Sequence, residues 1–142
     1  MSAPARRAIQ INGYGPPEVM QLTESVPAAP APGQALVAVR AIGVNYMDLS
    51  TRQGYNPMLQ LPATLGVEGA GVIEALGEDV ADLRVGQRVA WYYVPGSYTS
   101  LLLAPAQALV PVPDQVDDDT AASVLMQGLA AQHLAGLAQI PA

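Results

Sequence analysis

The chain has 142 residues, of which 51% are apolar and 13% charged, and a formal charge of −6. A domain of this length buries roughly 70% of the surface its unfolded chain exposes, and the acidic balance excludes the basic face that a nucleic-acid or anionic-membrane binder needs. All six cations are arginine, which excludes lysine Schiff-base and P-loop chemistry, and with no cysteine and one histidine, His133, no disulfide, thiolate nucleophile or cysteine zinc site can be built.

No stretch reaches the roughly 18 consecutive apolar residues of a membrane helix, and Arg6-Arg7 precede no apolar run of the signal-peptide kind. The expectation is a soluble, cytoplasmic protein with no membrane and no nucleic-acid partner. Gly and Pro punctuate the chain into short apolar runs of strand length. Ala8 to Ile11 and Val19 to Thr23 read as a hairpin with a long connection through Gly13-Tyr14-Gly15-Pro16-Pro17. The turn at Pro30-Ala31-Pro32-Gly33 launches Gln34 to Val44, apolar on both faces and therefore an interior strand. Asn45 to Gly54 loses the alternation and reads as a loop or one short helical turn, after which Pro57 and Pro62 keep the chain extended.

Gly66 to Gly77 reads as a strand thinned by glycine, a sign of bulges or of close backbone approach. Arg88 to Val94, Tyr98 to Leu103 and Ala108 to Val112 are three more strands, with Pro95-Gly96 turning between the first two. Asp117, Asp118 and Asp119 then open a helix, because carboxylates accept from its unpaired N–H groups and face the positive end of its dipole. A second helical stretch runs from Gly128 to Ala138. About seven strands followed by terminal helices predict a mainly-β fold of irregular, partly open barrel type.

Three motifs then occur in order: Gly43-Val44-Asn45-Tyr46-Met47-Asp48 with Arg52 and Gly54 behind it, Leu65-Gly66-x-Glu68-x-x-Gly71 ending at Gly77, and Val85-Gly86-Gln87-Arg88-Val89. Together they resemble the N-terminal GroES-like domain of the medium-chain dehydrogenase/reductase superfamily, in its zinc-free quinone oxidoreductase (zeta-crystallin-like) branch. Gly15-Pro16-Pro17-Glu18-Val19-Met20 and Met126-Gln127-Gly128-Leu129 resemble that branch's N-terminus and the start of its interdomain helix. The resemblance implies a domain over 1–125, and over 126–142 the start of the helix that leads to a dinucleotide-binding domain. That domain's glycine-rich turn is not among these residues: Gly66-x-x-Gly69-x-Gly71 is not G-x-G-x-x-G, and Gly13-x-Gly15-x-x-Glu18 fails at its last position. The chain therefore looks like a truncated half of an enzyme.

Zinc-dependent members carry a cysteine where Asn45 stands and a histidine where Val67 stands, and neither residue is a zinc ligand of the required kind. The resemblance implies a zinc-independent, NADPH-dependent reductase delivering hydride to a quinone or an α,β-unsaturated carbonyl, inactive in this form. It implies Asn45 and Asp48 as catalytic residues and Asn45, Tyr46, Met47, Asp48, Gln127 and His133 as cofactor contacts. Against these stand plainer readings: a turn closed by Asn45, an Asp48 cap, a buried hydrogen-bonded carboxylate at Glu68, an ion pair from Arg52 to Glu68 or Asp48, a surface Tyr55, a core Trp91 and a structural His133. Two other functions stay open, a free-standing binding or oligomerisation module whose apolar face is covered by self-association, and an enoyl reductase. A homo-oligomer, as a dimer, is the expected assembly.

Overall fold

The computed structural model describes residues 5–55 and 60–138. Strand β1 (Arg6–Ile11) pairs antiparallel with β2 (Met20–Ser25), from Arg6 opposite Ser25 to Ile11 opposite Met20, and carries the two-residue β4 (Ala63–Thr64) on its other side. The larger sheet is antiparallel throughout and has the order β7-β3-β5-β6-β8. Its members are β3 (Gln34–Gly43), β5 (Glu68–Leu76), β6 (Arg88–Trp91), β7 (Leu101–Pro105) and β8 (Val110–Pro111). Strand β3 is interior because its two hydrogen-bonding edges are paired, by β5 on one side and β7 on the other, and it buries Ala35 and Val37 while Arg40 and Ile42 are exposed.

The sheets are stitched rather than merged. Ile9 donates to the Tyr98 carbonyl at 2.9 Å, Ser100 to the Arg7 carbonyl at 2.8 Å and Leu65 to the Ile9 carbonyl at 3.1 Å. The expected partly open barrel thus takes the form of two sheets, with no closed barrel among the described residues. One face of the larger sheet packs Val37, Ile73, Val89, Trp91, Leu102 and Leu109 into a core. On another cluster Ala70 and Ala90 meet Ala121 and Ala122, small residues that let a helix lie close to the sheet.

Helical content departs from the sequence reading in two places. Tyr46–Gln53 is a helix, α1, and not a loop or a single turn. The two terminal helices are one, α2 (Asp118–Ala138), which runs without a break through Gly128. Three strands are also shorter or shifted: β6 stops at Trp91, where the chain turns through Tyr93 at φ +61°, β7 begins at Leu101, and β8 holds two residues after a 3-10 turn over Ala106–Ala108. Among the described residues no helix is long and apolar enough to cross a membrane. Pro57 and the segment after Ala138 lie outside the described residues.

Candidate functional site

The site forms at one end of the larger sheet. Gly43, the last residue of β3, pairs with Glu68, the first of β5, and register shifts between Leu36 and Val37 and between Val39 and Ala41 curve β3 as it reaches that end. Two residues on, Asn45 is the N-cap of α1 in extended conformation, φ −115° and ψ 154°. Asp48 at the third helical position accepts from the Asn45 amide at 2.9 Å, which satisfies an N–H that the helix itself leaves unpaired. Gly54 ends the helix at φ +86°, a left-handed cap that glycine adopts without Cβ strain.

Two polar residues on α1 are buried. Arg52, 8% exposed, donates to the Gly15 carbonyl, and Gly15 donates back to the Arg52 carbonyl at 3.0 Å. The expected ion pair from Arg52 to Glu68 or Asp48 is therefore replaced by a tie between α1 and the β1–β2 loop. Among the described residues the ion pair is Arg88 with Asp118 at 2.8 Å, at the start of α2. Asp48, 5% exposed, also accepts from the Tyr98 hydroxyl at 2.9 Å. Burial first, then the charge of Asp48 and its hydrogen bond, hold the Tyr98 phenol well above its usual pKa, so Tyr98 is a fixed neutral donor near neutral pH.

The side chain of Asn45, 6% exposed, is held at both ends. Its Nδ2 donates to Glu68 Oε2 at 2.8 Å, and its Oδ1 accepts from Gln127 Nε2 of α2 at 2.7 Å. Glu68 completes the ring by accepting from the Met126 backbone N–H at 2.8 Å through Oε1. An amide carries two N–H donors and two lone pairs. Nδ2 has given one N–H to Glu68, and Oδ1, besides Gln127, faces the Asp48 backbone N–H in the capping box of α1, so one N–H of the amide is left for a further partner.

The structure brings three of the sequence-derived residues together: Asn45 and Gln127 by a direct bond, and Asp48 through the Asn45 backbone. Tyr46 presents its ring outward at 83% exposure, and Met47 is half-buried. His133 is exposed on α2, about 9 Å further along the helix axis than Gln127 at 1.5 Å per residue. Tyr55 is a surface residue, Trp91 is core, and Glu68 is the buried hydrogen-bonded carboxylate anticipated. Sequence reasoning missed Gly43, Tyr98 and the exposed pair Tyr92-Tyr93, which follows β6 near the same sheet end. The signal for Gly43 was its place at the end of a strand just before Asn45; Tyr98 offered none.

Beside α1 lies a cleft of about 380 Å³ lined by Pro17, Met20, Val44, Leu49, Leu65 and Tyr98, with Asp48 and Arg52 also reaching it. Among the described residues no cluster of three His, Asp or Glu side chains could hold a metal ion. The arrangement offers an oriented neutral amide with outward aromatic and apolar neighbours. It can bind and orient a flat polar ligand, and it supplies no activated nucleophile.

Residues 31–114 match the alcohol dehydrogenase GroES-like domain. Over 129 residues the chain is 42% identical to a quinone oxidoreductase of Pseudomonas aeruginosa, covering 90% of this chain and 40% of that protein. It is 35% identical over 133 residues to a 2-haloacrylate reductase of a Burkholderia species, covering 89% of this chain and 40% of that protein. Among solved structures, an Escherichia coli quinone oxidoreductase complexed with NADPH superposes with a TM-score of 0.88 at 32% identity, over 90% of this chain and 40% of that one. The chain thus spans about 40% of the length of each of these relatives.

Proposed function

The chain belongs to the alcohol dehydrogenase GroES-like domain family, in its quinone oxidoreductase branch, and from that premise we propose that it is the substrate-side domain of a zinc-independent, NADPH-dependent reductase that acts on a quinone or an α,β-unsaturated carbonyl. The observation that carries the reading is the doubly held Asn45 amide beside exposed Tyr46. A site that only binds and orients must hold its polar groups before the ligand arrives, because rigid groups lose no further freedom on binding.

NADPH supplies a hydride when bound, as in the complexed Escherichia coli relative. The residues that would meet its nicotinamide end are Asn45, Tyr46, Met47, Gln127 and His133. Asn45 would direct the ring or the acceptor carbonyl with its remaining N–H, and exposed Tyr46 would cover a flat ring. Asp48 would act beneath them, since its contacts keep Asn45 in place at the head of α1. Asn45 and Val67 are not a zinc-binding donor set, so the carbonyl would be polarised by hydrogen bonding alone. The dinucleotide's phosphates need a glycine-rich turn that these residues do not contain, and the apolar side chains exposed on α2, Val124, Leu129, Leu134 and Leu137, are a surface for the unit that carries it. We place the protein in the cytoplasm, as a homodimer.

The test is a titration of the 142-residue chain with a small quinone, with and without NADPH, followed by amide NMR. The chain has no cysteine to form a thiol adduct. Shifts centred on 44–47, Gln127 and His133, with no oxidation of NADPH above background, are expected. Shifts confined elsewhere, or NADPH turnover by the chain alone, would overturn the reading. The same apolar residues of α2 favour a second reading, an oligomerisation module, which predicts concentration-dependent broadening along α2 and no response to quinone.

A further inference from the structure

We propose that Glu68 is a positioning residue that fixes the sense of the Asn45 amide and ties it mechanically to α2. Glu68 is 1% exposed and opens β5. Its two oxygens serve two different elements: Oε2 accepts from Asn45 Nδ2 and Oε1 from the backbone N–H of Met126, each at 2.8 Å. The carboxylate accepts from both, so Asn45 must turn its NH2 toward Glu68 and its carbonyl to the opposite side. There Gln127 Nε2 meets it at 2.7 Å. The direction of the Asn45 amide is thus imposed by its partners, and with it the direction of its remaining N–H.

Met126 is an interior residue of α2, and in a regular helix its N–H belongs to the carbonyl four residues back, that of Ala122. A carboxylate reaching that N–H enters the helix ladder from the side. Gly43 makes the approach possible, because a Cβ there would sit 2.5 Å from both the Ala122 carbonyl oxygen and Glu68 Oε2. The end of β3, the start of β5 and one turn of α2 therefore close around a single carboxylate. Met126 and Gln127 are adjacent, so both links to the Asn45 amide ride on the same helical turn. A displacement of that turn loosens both, and the amide is oriented only while α2 is seated.

The value of this clamp for catalysis rests on the role given to Asn45 above, whereas its test reads the amide itself and stands apart from any activity. Side-chain amide exchange of Asn45 and Gln127 is followed by NMR in the full chain. Glu68→Gln replaces one acceptor oxygen with a donor. Met126 keeps the remaining carbonyl, Asn45 turns its Oδ1 toward the new NH2, and Gln127 follows by presenting its own carbonyl to Asn45. The Gln127 NH2 should then exchange about 2- to 10-fold faster, the factor that one net hydrogen bond supplies, with the sheet amides unmoved. A folded Glu68→Gln chain in which the exchange of both amides is unchanged would overturn the proposal. Gln127→Ala, at an exposed position, decides the matter should that variant not fold. Asn45 should keep its slow exchange there because Glu68 still holds it, and exchange at the rate of an unprotected amide would overturn the clamp.

Discussion

Two buried polar clusters lie in this molecule and are built in opposite ways. In the first, Trp91 Nε1 donates to Ser97 Oγ at 2.8 Å and Ser97 Oγ donates to the Val94 carbonyl at 2.6 Å, all between the last residue of β6 and the loop that follows it. In the second, Asn45, Glu68 and Gln127 come from a helix cap, a strand start and a separate helix. The first satisfies the polar atom of a tryptophan that the core needs for its bulk, and with Trp91 and Ser97 both fully buried it offers nothing to a ligand. The second spends a buried carboxylate and an amide, costly groups to remove from water, and keeps hydrogen-bonding capacity in reserve. A polar cluster that completes itself locally is structural, whereas one that draws three elements to a point and stays partly unsaturated is the better candidate for function.

The independence of the two clusters is tested most strongly at Trp91. Trp91→Ala empties the core and is expected to cost about 3–5 kcal/mol, read as a lowered urea midpoint, while the Asn45 side-chain amide keeps its chemical shift in the folded fraction. A moved Asn45 signal would show that the two clusters are not independent. Next is Gly43→Ala, whose methyl must displace the Ala122 carbonyl or the Glu68 carboxylate. We expect about 1–3 kcal/mol of overpacking together with loss of the Asn45–Gln127 link, so that this smaller stability change alters the site where the larger one does not.

The smallest effect sharpens the account of how α2 is seated. The Thr120 backbone N–H donates to Asp117 Oδ1 at 2.6 Å at the start of α2, and this bond, followed by the Thr120 side chain and the charge of Arg88, outweighs desolvation and holds the Asp117 carboxyl below its usual pKa. A depressed folded pKa contributes stability that is present above the unfolded carboxylate value, about 3.9, and is lost as pH falls through the folded value. Asp117→Asn should therefore flatten the acid limb of the stability curve below about pH 4. An unchanged acid limb would show that the cap does not hold the helix.

The strands and their rough order were legible because alternation, glycine and proline report directly on sheet and turn. Helix α1 was not, because the residues it buries are the charged Asp48 and Arg52 while Tyr46 and Leu49 are exposed, the reverse of the pattern that marks an inward helix face. The break expected before Gly128 did not occur: glycine costs a helix interior only about 1 kcal/mol, and both Gly128 and Gly136 have open space around them. At the site, the resemblance pointed to Asn45, Tyr46, Met47, Asp48, Gln127 and His133, of which Asn45, Asp48 and Gln127 are joined by hydrogen bonds. What no motif could supply was which atoms pair, since the choice of Gly15 over a carboxylate by Arg52, and of Met126 by Glu68, is made by the packing of distant segments.

The span of these contacts along the chain also sets what each costs to close. Trp91 and Ser97 are 6 residues apart, whereas Asn45 and Gln127 are 82 apart, a difference in loop-closure entropy of about 2 kcal/mol before any contact compensates for it. The site is therefore the costlier of the two to close, and the seating of α2 over Gly43 is the step that completes it.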